Sequence, residues 1–461
     1  MASFSKKIGV FQLSLLSVSA IVSLRSLPLF AEMGLSIIFF LLLAGILFFI
    51  PICMVVAELS TTWPLRGGCY LWIRKAYGKY WAFFALWAYW MESIIWFPTI
   101  LIFVVVMLAH VLSPIYPNLE SNRLFLSLGI VIIFWLLTII NFYGVKLSVM
   151  FSSIGVFIGT VIPIVLIIVC AFIWILNGEV ININFTMVSI VPDFTINNMV
   201  FFSGVLLGFS GIELISFHMT EIENPRINIK KSLMISSFFI LFVYIIGSLS
   251  IAVVIPKTDI CFASGIIQAL KIFFVKINLP YIVPFLALLL FIGSVSCVNT
   301  WLIGPAKGML IAAEDGIMPK YLRYVNKNDV PVRLLIIQAM IGSIISVFFF
   351  LYINSINGLI WVFICLSFQF ASLLYIVIFF SIIKLRKKYP NIYRPYKVPY
   401  VNLISFIGIF SCMFTFFISF IQPNDINISD KQFYFYLLLT SFIILIIPAI
   451  YFILLNMKRT K

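Results

Sequence analysis

Charge is scarce in this chain. Of its 461 residues only 10% are Asp, Glu, Lys or Arg, against about 25% in a soluble globular domain, which excludes a soluble enzyme as the main reading. Histidine is scarcer still, with only His110 and His218, so a histidine proton relay has little material. Neither H-E-x-x-H nor G-x-S-x-G occurs, so a membrane-embedded enzyme has little behind it, and no cofactor or metal is expected. The seven cysteines (Cys53, Cys69, Cys170, Cys261, Cys297, Cys365, Cys412) are scattered without close pairing and read as packing residues. A cleaved signal peptide is not expected, because no small-residue cleavage site follows Lys6 and Lys7 and Arg25 interrupts the first apolar run.

What is abundant is apolar surface, at 63% of residues. Spanning a bilayer core of about 30 Å takes roughly 20 residues of helix. Reading from charge to charge, uncharged runs of that length or more recur along the chain, and the longest, from Leu334 to Ile383, is divided by a turn-like Asn354-Ser355-Ile356-Asn357-Gly358. Two more apolar stretches contain charges and helix breakers. The expected spans are 9–31, 34–59, 80–112, 124–142, 151–177, 197–220, 232–256, 281–311, 334–353, 358–383, 400–421 and 433–457, so the fold class is an all-α polytopic membrane protein with twelve transmembrane helices.

Basic residues set the orientation. With the N-terminus inside, 24 Lys and Arg fall on inner segments, among them Arg66, Arg74, Lys146, Lys230, Lys307, Arg386, Arg394 and Lys458, and five on outer segments. The positive-inside rule then puts both termini in the cytoplasm of a cell whose inner membrane the chain crosses. The same clustering accounts for the net charge of +15; no separate basic domain exists to bind nucleic acid. Trp63, Trp72, Tyr77 and Tyr80, near span ends, read as interface anchors.

Span 1 is interrupted by Ser23-Leu24-Arg25-Ser26-Leu27-Pro28 and span 6 by Gly204 and Gly208-Phe209-Ser210-Gly211. Five spans separate their starts, so two five-helix halves, 9–178 and 197–384, would be inserted upside down relative to one another, with helices 11 and 12 (400–457) added after them between a short N-terminus (1–8) and tail (458–461). Broken helices in corresponding positions point to a transporter's substrate site. An unwound segment frees backbone groups that are costly in lipid unless something polar occupies them; amides near Ser26 would face a carboxylate, and carbonyls at the end of the first half of span 6 an ammonium. The alternative is that Pro28 and the glycines only kink helices for packing.

The segments Gly211-Ile212-Glu213 and Glu221-Ile222-Glu223-Asn224-Pro225-Arg226 resemble the sixth-helix signature of the amino acid/polyamine/organocation transporters. Trp301-Leu302-Ile303-Gly304-Pro305-Ala306-Lys307-Gly308, continuing to Val332, resembles the eighth helix and its following loop, and with Pro28 to Glu58 it is most similar to the bacterial glutamate/γ-aminobutyrate antiporter branch. The resemblance covers nearly the whole chain. It implies the 5+5 inverted-repeat fold of the bacterial leucine transporter, with helices 1 and 6 discontinuous around an amino acid and exchange by alternating access. In place of a glycine-rich first break stands the bulkier, charged Ser23-Leu24-Arg25-Ser26. Some members of the branch carry a long C-terminal plug; this chain stops at Lys461, so gating of that kind is not expected.

The expected substrate residues are Ser23, Arg25, Ser26, Leu27, Leu207, Phe209, Ser210 and Trp301. An intramembrane Arg should have a carboxylate or a water-filled cavity beside it. Arg25 therefore either grips a substrate's second carboxylate, favouring an acidic amino acid, or pairs permanently with Glu92 or Glu213. Trp301 stands where the resemblance implies an aromatic beside the substrate. Glu92, Glu213 and His218 are candidates for gating or proton coupling, while Glu58, Glu221, Glu223, Arg226 and Lys307 read as structural or gating charges. Span 5 has no Lys to act as a built-in cation, which favours exchange. The expected function is a secondary transporter of small-molecule amino-acid substrates, foremost an exchanger of glutamate or a related amino acid, with a proton-coupled importer of another amino acid as the alternative; a transporter-like sensor is a third reading.

Overall fold

A computed structural model describes residues 8–65, 67–144, 152, 154–183, 186–219, 222–353, 355–422 and 430–459. Lys6, Lys7, Arg66, Lys146, Glu221, Asn354 and Lys461 lie outside the described residues, as do the side chains of His218, Lys458 and Arg459.

Among the described residues regular structure is helical, apart from one isolated bridge between Ile8 and Ile222. Span 1 is built from α1 (Val10–Ile21) and α2 (Ser26–Ala31), and span 2 is α3 (Gly34–Thr62). Then follow α4 (Gly68–Tyr77), α5 (Lys79–Leu112), α6 (Arg123–Asn141) and α7 (Ile154–Leu176). Span 6 is α8 (Ile196–Leu207) and the 3₁₀ segment α9 (Ile212–His218). The remainder is α10 (Pro225–Val254), α11 (Gly265–Lys276), α12 (Pro280–Glu314), α13 (Val332–Tyr352), α14 (Ile356–Lys388), α15 (Val401–Ile418) and α16 (Asp430–Arg459). Eleven described helices are long and apolar enough to cross a membrane, counting α8 and α9 as one. The twelve residues of α1 rise only about 18 Å at 1.5 Å each, so the twelfth crossing needs α1 and α2 together.

Local chemistry explains several boundaries. Asn122, Thr195 and Ser355 accept hydrogen bonds from the amides of Phe125, Asn198 and Gly358, capping α6, α8 and α14 with side chains that satisfy otherwise orphaned donors. Two π-helical turns, Gly45–Phe49 and Phe157–Val161, end two positions before Pro51 and Pro163. A widened turn takes up the missing N–H and the bulk of the ring. Span 7 begins at Pro225 rather than 232, because Pro suits the first helical turn and the basic residues Arg226 to Lys231 reach water. Two helices of ten or more residues outside the expected spans are α4 and α11; α4 turns Cys69, Trp72, Ile73 and Ala76 inward, the spacing of a one-sided helix.

Burial sorts the bundle. Within their most apolar stretches α5 and α14 are 83% buried and span 6 entirely so, whereas α6 and α15 are 33% buried; the broken spans therefore sit at the centre. α5 packs along α12 and α14, and α1 along α10. Spans 5 and 8 cross at Gly159 and Gly293, where a Cβ on Gly159 would stand 2.1 Å from the Gly293 amide nitrogen; only glycines allow backbones this close.

One face of the bundle collects the basic residues. Glu58, 1% exposed, receives Arg386 bidentately, with Nε to Oε1 at 2.9 Å, while Arg394 Nε lies 3.3 Å from Oε1 and the Val398 amide donates at 2.7 Å. These bonds clamp the end of span 2 to the last turn of α14 and the chain that follows it. Nearby, Tyr70 donates to Asp315 at 2.6 Å and Arg74 Nε sits 3.1 Å from the same carboxylate. Burial, and then this hydrogen bond, hold the Tyr70 phenol well above its ordinary range, so it remains a donor to Asp315. α4 lies against α5, α9 and α14, which buries Trp72, and Trp63 at the end of span 2 meets Tyr389 edge-on at 6.1 Å; both are buried and are not the interface anchors their positions suggested. Tyr77 is at the surface, with Lys384 Nζ 4.0 Å above its ring. On the opposite face Lys276 pairs with Glu179 at 3.0 Å, and His110 Nε2 lies 2.9 Å from Glu120.

Glu58→Gln leaves two buried or half-buried guanidiniums facing a neutral amide. The expected loss is about 3 kcal/mol, read as a lowered melting temperature of the detergent-solubilised protein; an unchanged melting temperature would remove Glu58 from the clamp.

Candidate functional site

Both breaks lie near the centre of the bundle, and three side chains from other helices repair them. After α1 the backbone turns extended at Val22, with ψ 103°. The Tyr244 hydroxyl, from α10, stands 2.5 Å from the Ile21 carbonyl, 2.9 Å from the Gly208 carbonyl and 3.4 Å from the Ser23 amide. It thus joins the end of α1 to the end of α8. With one proton, it donates to only one of the two carbonyls at a time. Trp301 Nε1, from α12, donates to the Ala20 carbonyl at 2.9 Å, and the Gly211 amide donates to the Tyr375 hydroxyl of α14 at 3.0 Å. The amides of Ser26 and Leu27 already bond to the carbonyls of Ser23 and Leu24 at 2.9 and 3.2 Å, so the expected cluster of free amides at the start of α2 is not there: a tight turn uses them.

Gly211 is needed twice over. Its φ is +113°, and a Cβ there would stand 2.8 Å from the Trp301 ring and 3.1 Å from the Ala20 carbonyl oxygen.

Between the breaks lies a cavity of about 20 Å3, room for about one water. Ser23, Arg25 and Ser26 line it from the first break, Leu207, Gly208 and Ser210 from the second, Glu92 and Trp96 from α5, and Trp301 from α12. Trp301 also packs on Trp96, with ring centroids 5.2 Å apart. Seven of the residues singled out in the sequence therefore meet here: Ser23, Arg25, Ser26, Leu207, Ser210, Trp301 and Glu92.

Four do not. Leu27 is buried against Gly247 of α10. Phe209 stacks on Phe49 at 4.7 Å and meets Tyr244 edge-on at 5.7 Å, turned away from the cavity by the tight turn that carries it. Glu213 lies beyond Gly211, where Tyr375 donates to its Oε2 at 2.7 Å. The His218 side chain is outside the described residues. Trp96 and Ile364 are wall residues without a prior signal. Tyr244 and Tyr375 had a faint one, a hydroxyl-bearing aromatic in the middle of an apolar span.

The wall chemistry is unusual for a closed site. Ser23 Oγ, Arg25 Nε, Glu92 Oε2 and Ser210 Oγ are all buried, and among the described residues none has a hydrogen-bond partner. Nor does an ion pair join Arg25, 3% exposed, to Glu92 or Glu213 among them, so the expected alternative of a permanent pair is not formed. Buried polar groups are ordinarily satisfied, and these four surround one small space. Among the described residues no group of three or more His, Cys, Asp or Glu is placed to hold a metal ion.

The barriers on the two sides differ. Toward the basic face, α4, α9 and the Tyr70–Arg74–Asp315 cluster lie in the way. Toward the opposite face a vestibule of about 920 Å3 opens, with Ala31, Glu32, Asp193, Asn198 and Lys257 on its wall. α2 stands between them, giving Leu29 to the cavity and Ala31 to the vestibule.

Gly211→Ala strains the backbone and pushes Trp301 off the Ala20 carbonyl. The expected loss is about 1 to 3 kcal/mol, measured as a lowered melting temperature with altered tryptophan emission; parental values for both would show that the turn tolerates a side chain.

Comparison with known proteins agrees with this architecture. A sequence model of the family described as amino acid permease matches residues 8–447. An uncharacterised transporter of Legionella pneumophila is 37% identical over 432 residues, 92% of each chain. A glutamate/gamma-aminobutyrate antiporter of Lactococcus lactis is 30% identical over 448 residues, 95% of this chain and 88% of its own length. The putrescine transporter of Escherichia coli is 23% identical over 225 residues, about half of each chain. On the match along nearly its whole length, with two broken spans meeting at a central cavity, the chain belongs to the amino acid permease family.

Proposed function

We propose that this permease is an amino-acid exchanger of the glutamate/γ-aminobutyrate type, working by alternating access, with Arg25 gripping the substrate's second carboxylate. The observation that carries the reading is the Arg25 guanidinium: buried, with an unpartnered Nε and no ion pair among the described residues, on the wall of the cavity between the two breaks. A desolvated cation of that kind asks for an anion, and a planar fork matches a carboxylate in two hydrogen bonds. Glu92 on the same wall, with Oε2 unpartnered, suits the substrate's ammonium, and Ser23 and Ser210 its remaining polar atoms. Similarity to the Lactococcus lactis antiporter supports the same substrate class.

On this reading the two inverted repeats are 9–178 and 197–384, and both termini and the basic face lie in the cytoplasm of a cell whose inner membrane the protein spans. The vestibule then faces outward. An amino acid is far larger than the present cavity, so binding requires the walls to part. Tyr244 and Trp301, which hold both breaks together, are the contacts that such a movement exchanges. Glu213, bonded to Tyr375, belongs to the hinge of α9 rather than to the substrate.

A second reading is a proton-coupled importer of another amino acid. Favouring it is Glu92, a buried carboxylate that, with one oxygen unpartnered, is suited to carry a proton across the cavity.

Uptake of labelled glutamate into proteoliposomes separates the two. Exchange is expected to require internal glutamate or γ-aminobutyrate, whereas uptake into vesicles without internal amino acid, driven by an inward proton gradient, would establish the importer. Arg25→Gln is expected to weaken glutamate binding by roughly 10- to 150-fold, the range of a lost charged hydrogen bond, while sparing neutral amino acids. Retention of parental glutamate affinity would dismiss Arg25 as a substrate contact.

A further inference from the structure

Away from the central cavity, a second opening of about 340 Å3 lies between α3 and α10 at the basic face. Cys53, Met54 and Ala57 form one wall and Leu233, Met234 and Ser237 the other. Both triplets follow helical spacing, so each is a stripe on one face of its helix. Small side chains at Cys53, Ala57 and Ser237 leave the gap between the helices unfilled, and the polar contact across it is weak, Cys53 Sγ to Ser237 Oγ at 3.6 Å. Met234 is 67% exposed, as are its apolar neighbours Ile235 and Phe238 at 56% and 76%. The slot therefore opens sideways, along a flank whose exposed residues suit hydrocarbon.

The end at the basic face has different chemistry. Lys230 and Tyr396 border the slot, with Lys230 Nζ 5.4 Å from the Tyr396 ring centroid. One helical turn earlier Arg226 lies 5.9 Å over Tyr393. Neither cation is in an ion pair among the described residues. Glu58, next after Ala57, is already taken by Arg386 and Arg394. An apolar slot open to lipid thus ends in two cations and two phenols at the level of a membrane interface.

We propose that this slot is a binding site for an anionic glycerophospholipid, with one acyl chain between α3 and α10 and the phosphate held by Lys230 and Arg226. Basic pockets between transmembrane helices bind anionic head groups in this way. A zwitterionic lipid brings its own ammonium toward Lys230 and is disfavoured. Since α10 also carries Tyr244, a lipid wedged here fixes the distance between span 2 and the helix that ties the two breaks together.

The test is native mass spectrometry of the delipidated full chain titrated with phosphatidylglycerol or phosphatidylcholine of identical acyl chains, alongside melting temperatures. One phosphatidylglycerol per chain is expected to bind at roughly 10- to 30-fold lower concentration than phosphatidylcholine, the effect of two basic residues at about 1 kcal/mol each, and to raise the melting temperature. The double variant Arg226→Gln/Lys230→Gln should reduce phosphatidylglycerol to the phosphatidylcholine level. Ala57→Leu, which fills the slot and leaves both cations, should abolish retention of that lipid. Glycerol 3-phosphate, a head group without chains, should neither bind nor stabilise. Equal binding of the two lipids by the parent protein, an undiminished preference in the double variant, full retention in Ala57→Leu, or equal stabilisation by glycerol 3-phosphate would each overturn the proposal. The parental titration decides by itself should a variant fail to fold.

Discussion

A helix that stops inside a membrane leaves backbone carbonyls and amides with no water to bond, and the centre of this bundle is organised around meeting that need. Two spans stop there. Tyr244 on α10, Trp301 on α12 and Tyr375 on α14 each reach a backbone group that a continuous helix would have satisfied internally. The breaks consequently bind the bundle together, because their repair draws in three separate helices. These contacts are also exchangeable: Tyr244 has a single proton within reach of carbonyls from both breaks. A polar group entering between the breaks can replace such a contact without leaving a bare backbone group behind.

The charges divide into two populations. Glu58 is surrounded by Arg386, Arg394 and the Val398 amide, and Asp315 by Tyr70 and Arg74; these groups have partners supplied by the chain and hold segments together. Arg25 and Glu92 share a cavity, yet each keeps an atom without a partner among the described residues. A protein that needed only packing at this point would have been better served by apolar side chains, since an unsatisfied buried charge is costly. The charged clusters at the basic face are thus saturated by the chain itself, whereas those at the centre are not.

Most of the architecture was legible in the sequence. Long uncharged runs mark the spans because charge is expensive in hydrocarbon, and both breaks were visible as helix breakers inside otherwise apolar runs. The orientation of side chains inside those breaks was not legible. Leu27 and Phe209 are neighbours in sequence to residues on the cavity wall, but helical periodicity no longer predicts direction where the chain unwinds, and both turn into packing against Gly247 and Phe49. Glu213 was one of two carboxylates offered as a partner for Arg25, and a turn through Gly211 at φ +113° carries it instead to Tyr375.

The sequence by itself determined that this is a polytopic helical membrane protein, where its spans run, and that spans 1 and 6 are interrupted, since each of these follows from the local balance between burying apolar side chains and exposing polar backbone. Tertiary structure alone decided which polar atoms the chain satisfies for itself and which it leaves open. Tyr244 reaches Ile21 across 223 positions and Trp301 reaches Ala20 across 281. Partnerships of that range depend on how whole helices pack, and no local pattern encodes them.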